Sequence, residues 1–308
     1  MENTKENFDY LFDEQEIASQ DKPFDMDEFI ARKKAERDEA YGIIEDATKE
    51  MQGSGEAFKT YLDVQAHFDR YSVSNAILIF AQEPEAVGPM KTFDDWKKDK
   101  VSIAKGEKAI TLLEPGKEYE REDGSKGVNY NVKRVFDITQ TKDYQKSEHE
   151  IFHDERTLLK SLITDAPCKM QISNEMADSI NAIYKADVKT IFVRQGMDAP
   201  SIFQALTKEL AQAHMDKGAD YRHSDHYITA YCVSYMLCKR YGVPTTGFDF
   251  KSMPEKYTSM DTKEFRQELG KIRDVAGEIS RDMNRVMENL QRAAEKAMPE
   301  HTAPETAR

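Results

Sequence analysis

The sequence is poor in cysteine: only Cys168, Cys232 and Cys238 occur in 308 residues. None has CxxC spacing, which excludes a disulfide framework and a zinc ribbon. Cys232 and Cys238 are six residues apart in an expected helix, about 9 Å along its axis, too far to bridge there. Long apolar runs are also missing, and nothing approaches the ~18 residues of a membrane span. The acidic start MENTKENFDY lacks the basic and apolar regions of a secretory signal, so a cytoplasmic protein with no membrane contact is expected. Tryptophan occurs once, at Trp96. Positive charge is in deficit, with 44 Lys and Arg against 57 Asp and Glu, a net −13. That balance argues against nonspecific duplex binding by the whole surface.

What is present is the composition of a globular chain, 39% hydrophobic and 33% charged, long enough for about two domains. The charge deficit is uneven. Residues 1–60 carry 17 acids and 8 bases, a net −9, which leaves −4 for residues 61–308. Residues 1–24 read as an acidic disordered tail. It either solvates the protein or docks on a basic partner or on the protein's own binding face. Asp25 to Met51 is helical in pattern, and Gly53-Ser54-Gly55 ends it.

The stretch Phe58 to Pro115 carries the most functional information. Phe58, Tyr61, Leu62, Val64 and Phe68 repeat with helical spacing, as do Ala76, Ile77, Phe80 and Ala81 after a break at Arg70-Tyr71-Ser72. Trp96 then stands among Lys91, Lys97, Lys98, Lys100, Lys105 and Lys108, opposed by Asp94, Asp95, Asp99 and Glu107. The period next changes to two in Val101–Ala104, Ala109–Leu113 and Val128–Phe136, with Lys105-Gly106-Glu107 and Asp123-Gly124-Ser125 as turns. Helices followed by antiparallel strands predict an α+β domain over 25–141, and 142–154 reads as a linker. A locally basic segment with an exposed aromatic suits a phosphate backbone and a stacked base. The same residues also fit a plainer reading, in which Arg70 caps a helix, Trp96 is core and the lysines are a solvated face.

The blocks FDRYSVSNAILIFAQEP, the tryptophan a dozen residues on, and KGEKAITLLEP resemble the single-stranded-DNA-binding domain of ArdC-type antirestriction proteins. LtrC-like proteins of Gram-positive conjugative elements are similar. The resemblance covers Phe58 to Gln140 and implies a binding protein for single-stranded nucleic acid. In that reading Lys91, Lys97, Lys98, Lys105 and Lys108 track phosphates together with Lys133 and Arg134. Trp96, Tyr71 or Tyr130 stack bases, and Arg70 and Asn75 orient the backbone.

Further on, Arg156–Ile163 and Asn174–Tyr184 read as helices, Thr190–Arg194 as a strand, and SIFQALTKELAQAHMDKG as a helix closed by Gly218. Another helix follows from about Asp225 to Tyr241. This order over 155–252 resembles the mainly helical zincin-like metallopeptidase domain of the same families, but the chemistry departs from it. HExxH needs two histidines at i and i+4 and a glutamate base; those positions hold Lys208, Glu209 and Gln212. Lys208 is a cation where an imidazole should donate a lone pair, and Gln212 is a poor zinc ligand. The third ligand these families place just before a VAY-like triplet is absent around Thr229 and Tyr231. The resemblance therefore implies a pseudopeptidase with no catalytic residue, no metal and no cofactor. One cluster remains to weigh: His214, His223 and His226 are close enough in sequence to gather around Glu209.

Over 257–298 a long helix is expected. Phe265, Leu269, Ile272, Ala276, Ile279, Met283, Val286, Leu290, Ala293 and Ala297 alternate four and three apart. That seam serves either self-association or a protein partner, or else packing along its own domain. Residues 299–308 read as a disordered tail. Three functions follow: an antirestriction-like single-strand binder of a mobile element, a metallopeptidase with atypical ligands, or an acidic protein occupying a host nuclease or regulator.

Overall fold

The computed structural model describes residues 25–120, 124–145 and 154–297. The expected tails at 1–24 and 299–308, the middle of the expected linker and the Asp123 turn lie outside them. The fold is α+β, with two three-stranded sheets and a long C-terminal helix among the described residues. The chain forms two compact units, Met1–Gly42 with Leu113–Lys133, and Ile43–Leu112 with Arg134–Arg308.

The smaller unit holds the first part of helix α1 (Met26–Gly53) and the outer parts of strands β2 (Ile110–Glu120) and β3 (Lys126–Asp137). In this unit Gly116 lies so close to β3 that a Cβ would come within 2.9 Å of the Asn131 amide. Lys133 pairs with Glu114 at 3.0 Å, and Lys126 with Glu118 at 3.4 Å.

The larger unit begins with the end of α1 and continues through α2 (Gly55–His67) and α3 (Val73–Gln82). Ser54 caps α2 by accepting from the Ala57 amide, and Ser72 caps α3 by accepting from Asn75. The cap of α3 is thus a serine, while Arg70 stands exposed. A short strand β1 (Met90–Lys91) pairs antiparallel with the inner end of β3, and helix α4 (Phe93–Lys98) follows it. Asp137 fixes this corner. Fully buried, it accepts from the amides of Val87 (3.2 Å), Gly88 (2.7 Å) and Thr139 (3.0 Å). One carboxylate thus satisfies three backbone donors that burial would otherwise leave unpaired.

Beyond the linker come α5 (Glu155–Thr164), strands β4 (Lys169–Ser173), β5 (Ala182–Lys185) and β6 (Thr190–Arg194), and helices α6 (Ala199–Met215) and α7 (Tyr227–Arg240). The sheet order is β4-β6-β5, with β4 parallel and β5 antiparallel to β6. Asn174–Tyr184 is therefore no helix. Its last three residues, from Ala182, begin strand β5, where Ala182 and Tyr184 are buried and alternate with Ile183 and Lys185; a period of two over four residues was too short to stand out. Val101–Ala104 is likewise not a strand, and only Ile103 bridges to Thr141.

Helix α8 (Glu255–Thr258) precedes α9 (Thr262–Ala297). From Phe265 to Val286 every apolar seam residue of α9 is buried, and the helix packs on α7, α5, α6 and α3. Of the two readings of that seam, packing within the chain describes it as far as Val286; Gln291–Lys296 are exposed.

The two stretches read as separate domains share one core. Phe58 of α2 meets Phe250, Tyr257 and Phe265 edge-on or tilted, at centroid distances of 6.0, 5.8 and 6.0 Å. Each such aromatic contact adds ~0.5–1.5 kcal/mol beyond burial. Around it, the Tyr235 hydroxyl donates to Asp63 at 2.5 Å and Arg240 pairs with Asp69 at 3.0 Å. At Gly55 a Cβ would sit 1.8 Å from the Phe250 carbonyl oxygen, so only glycine allows this approach. Phe58→Ala should cost about 3–5 kcal/mol and leave a single cooperative urea transition, because α2 and α7 lose the same core. Two separated transitions would show that the stretches unfold independently.

Candidate nucleic-acid interface and peptidase-like helix

Helix α4 has a local origin. Thr92 caps it through the Asp95 amide (3.2 Å), Asp94 and Asp95 occupy its first turn, and Lys97 and Lys98 its last, which suits the helix dipole. Its end is unusual. Lys100 takes a left-handed conformation (φ 61°), and the Val101 amide closes back on the Trp96 carbonyl at 2.9 Å, a capping geometry usually given to glycine.

This turn puts Trp96 inside. The side chain is 3% exposed and its indole N–H donates to the Phe136 carbonyl at 2.9 Å. The Lys91 ammonium lies 4.7 Å from the ring centroid. The expectation that Trp96 stacks on a base is corrected: no ring face is open, because the short helix α4 aims the indole at β3.

The lysines divide into two kinds. Lys91 pairs with Asp99 (2.5 Å), Lys98 with Asp95 (2.8 Å) and Lys133 with Glu114 (3.0 Å). The Asp95 hydrogen bond raises the Lys98 pKa above the ordinary lysine value. Lys97, Lys105, Lys108, Arg70 and Arg134 are exposed and have no ion pair among the described residues. Their full charge remains available to an anion. Tyr71 is half-buried, edge-on to Phe68 at 5.5 Å, and Asn75 is half-buried at the capped start of α3. Tyr130, in the smaller unit, is 38% exposed.

Helix α6, capped by Asp198 through the Ser201 amide (2.9 Å) with Pro200 in its first turn, carries the peptidase-like positions. Glu209 is 1% exposed. One carboxylate oxygen accepts from the Tyr184 amide of edge strand β5 (2.8 Å) and lies 2.9 Å from His223 Nε2; Lys208 Nζ is 3.6 Å from the other. The Lys208 ammonium also sits 5.6 Å from the Tyr227 ring centroid. Gln212, fully buried, donates to the His223 carbonyl (3.2 Å) and accepts from the Tyr221 hydroxyl (2.8 Å). Thus Glu209 and Gln212 are spent tying α6 to β5 and to the 221–223 turn. The three histidines do not converge: His214 pairs with Glu278 (3.1 Å), and His226 stacks on Tyr221 at 5.6 Å. Of the three histidines weighed beside Glu209, only His223 reaches it.

The first of these regions has a family match. Residues 39–157 match the family model of the N-terminal domain of anti-restriction factor ArdC. Over this stretch the chain is similar to the ArdC N-terminal domain. No curated protein matches the chain. Two crystal structures of the antirestriction protein ArdC from plasmid R388 resemble it at 16% identity and cover 74% of this chain. The metal-free form gives a TM-score of 0.39 over 87% of its own length, the Mn(II)-bound form 0.40 over 90%; so loose a likeness transfers no residue roles. The matched stretch contains all twelve residues read from the sequence as nucleic-acid contacts, Arg70 to Arg134. Lys208, Glu209 and Gln212 lie outside it.

Trp96→Ala should lower the melting temperature by several degrees, since it removes a buried indole and orphans the Phe136 carbonyl. Loss of nucleic-acid affinity with unchanged melting would restore the stacking reading. Acid provides a second check, through Asp216 at the end of α6. The Lys189 hydrogen bond, helped by the Gly218 amide and the Tyr184 hydroxyl, holds its carboxyl below the ordinary value of 3.8. A depressed carboxyl stabilises the fold above its unfolded pKa, and that contribution is lost as pH falls through the folded value. Melting scans should therefore fall steeply below about pH 4, and less steeply in Lys189→Met.

Proposed function

We propose that the chain is an anti-restriction-type protein that binds single-stranded nucleic acid for a mobile element and shields or handles transferred DNA. One observation carries this reading: residues 39–157 match the ArdC N-terminal domain model, and within that span Lys97, Lys105, Lys108, Arg70 and Arg134 are exposed and have no ion pair among the described residues. Cations left unpaired in a protein of net charge −13 are the ones that gain most from a phosphate backbone, through Coulomb attraction and counterion release. The ion-paired Lys91, Lys98 and Lys133 contribute less, since each first has to leave a carboxylate.

The domain that follows is, in this proposal, a metallopeptidase-like scaffold without peptidase chemistry. Hydrolysis by zinc needs three protein ligands around the ion and a carboxylate free to take a proton from bound water. Glu209 is committed to the Tyr184 amide and His223, Gln212 to Tyr221 and the His223 carbonyl. Lys208 brings a positive charge to the place of the first ligand, which a divalent ion would repel. Among the described residues no three His, Cys, Asp or Glu side chains are grouped to hold a metal, and none is long and apolar enough in a helix to cross a membrane.

Fluorescence anisotropy with a labelled oligothymidine at two salt concentrations tests the proposal. Binding should weaken steeply with salt, and the double variant Lys105→Ala, Lys108→Ala should flatten the slope by about 0.7 per lysine. Absence of binding at low salt would sink the reading. For the second domain, elemental analysis of protein dialysed against zinc should find well below one ion per chain. A stoichiometric zinc lost in Glu209→Ala or His223→Ala would instead promote the peptidase.

A further inference from the structure

We infer that Phe93, rather than Trp96, is the ring on which this protein stacks a base of a single-stranded nucleic acid. The inference rests on the proposed function and names the residue that gives its site sequence-tolerant affinity.

Phe93 is 56% exposed, the most of any aromatic side chain among the described residues. It opens α4, and Lys97 stands one turn later on the same helix face. The ring is held without being covered: its edge rests on Phe136, centroids 6.4 Å apart at 64°. Phe136 opposes Lys91 across the β1–β3 ladder, so both lie on the sheet face toward α4, and Arg134, two residues before Phe136, lies on that face as well. Two cations without ion pairs, Lys97 and Arg134, therefore flank an open aromatic face. Lys100 follows in its left-handed turn, a conformation in which a lysine is costly and a glycine is not. Strain of this sort, kept beside an exposed ring and two cations, is a mark of a functional surface.

A lone exposed phenylalanine would need no explanation. This one combines a fixed orientation, an open face and positive charge on two sides. Those are the elements of a stacking platform, where every base offers a π-face and the phosphates on either side find a cation. Trp96 supports it from beneath: its N–H bond to the Phe136 carbonyl (2.9 Å) anchors α4 on the strand that carries Phe136.

The test uses the full chain and three fluorescein-labelled probes of equal length: oligothymidine, the same backbone with abasic sites, and a blunt duplex. Phe93→Ala should lose about 5- to 100-fold in affinity for oligothymidine while its salt slope stays unchanged. Phe93→Leu should lose nearly as much, and Phe93→Tyr should keep wild-type affinity. On the abasic probe all four proteins should bind alike and weakly. If wild type binds oligothymidine and Phe93→Ala and Phe93→Leu bind as well, the inference is overturned and the single-strand reading stands. If wild type binds none of the probes, both fall. Should Phe93→Ala melt early by circular dichroism, the contrast between Phe93→Leu and Phe93→Tyr decides alone.

Discussion

Phe58 is the contact on which the larger unit depends. It lies on α2, yet the rings around it, Phe250, Tyr257 and Phe265, come from a loop, a short helix and the start of the long helix about two hundred residues later. A ring buried from three directions resists displacement, because protein interiors are close-packed and any shift opens a void. Gly55 tightens the same join by letting the backbone approach Phe250, and the Tyr235–Asp63 hydrogen bond and the Arg240–Asp69 pair secure its rim. Helices α2 and α3, which lie in the stretch that matches the ArdC N-terminal domain model, pack on α7 and α9.

The polar side chains of helix α6 serve the same end. The helix has its cap, its buried face and its contacts with α7 and the sheet, and its buried Glu209 and Gln212 tie it to β5 and to the 221–223 turn. Glu209 is a buried carboxylate with two hydrogen-bond partners, and removing it would strand a strand amide and a histidine. Buried polar groups satisfied in this way specify one arrangement of their neighbours.

The acidic overall charge and the local basic character of the binding surface are likewise compatible once pairing is considered. Lysine count overstates the field around α4, because Lys91 and Lys98 are cancelled by Asp99 and Asp95. The effective field comes from a few unpaired cations, and exposed charges act over about a Debye length, ~10 Å at 0.1 M salt.

By itself the sequence determined the α+β class, the order of most helices, the basic stretch within an acidic chain and the resemblance over Phe58 to Gln140. Those properties are written in local periodicity and in blocks of adjacent residues, none of which requires knowing what lies across the fold. The missing ligands at Lys208 and Gln212 were legible for the same reason, since i and i+4 on one helix are local. What the tertiary structure alone decided is which side each residue faces and what it meets. Trp96 among lysines reads as an exposed ring until the short helix α4 directs it at β3. Asn174–Tyr184 has enough apolar residues for a helix, but its end pairs with β6. The α9 seam looks ready for a second chain until α7, α5, α6 and α3 cover it. His223 has no sequence relation to Glu209, fourteen residues away, and meets it only because a turn folds back over α6. Contacts across the chain depend on the positions of many residues at once, and no spacing within a single segment encodes them.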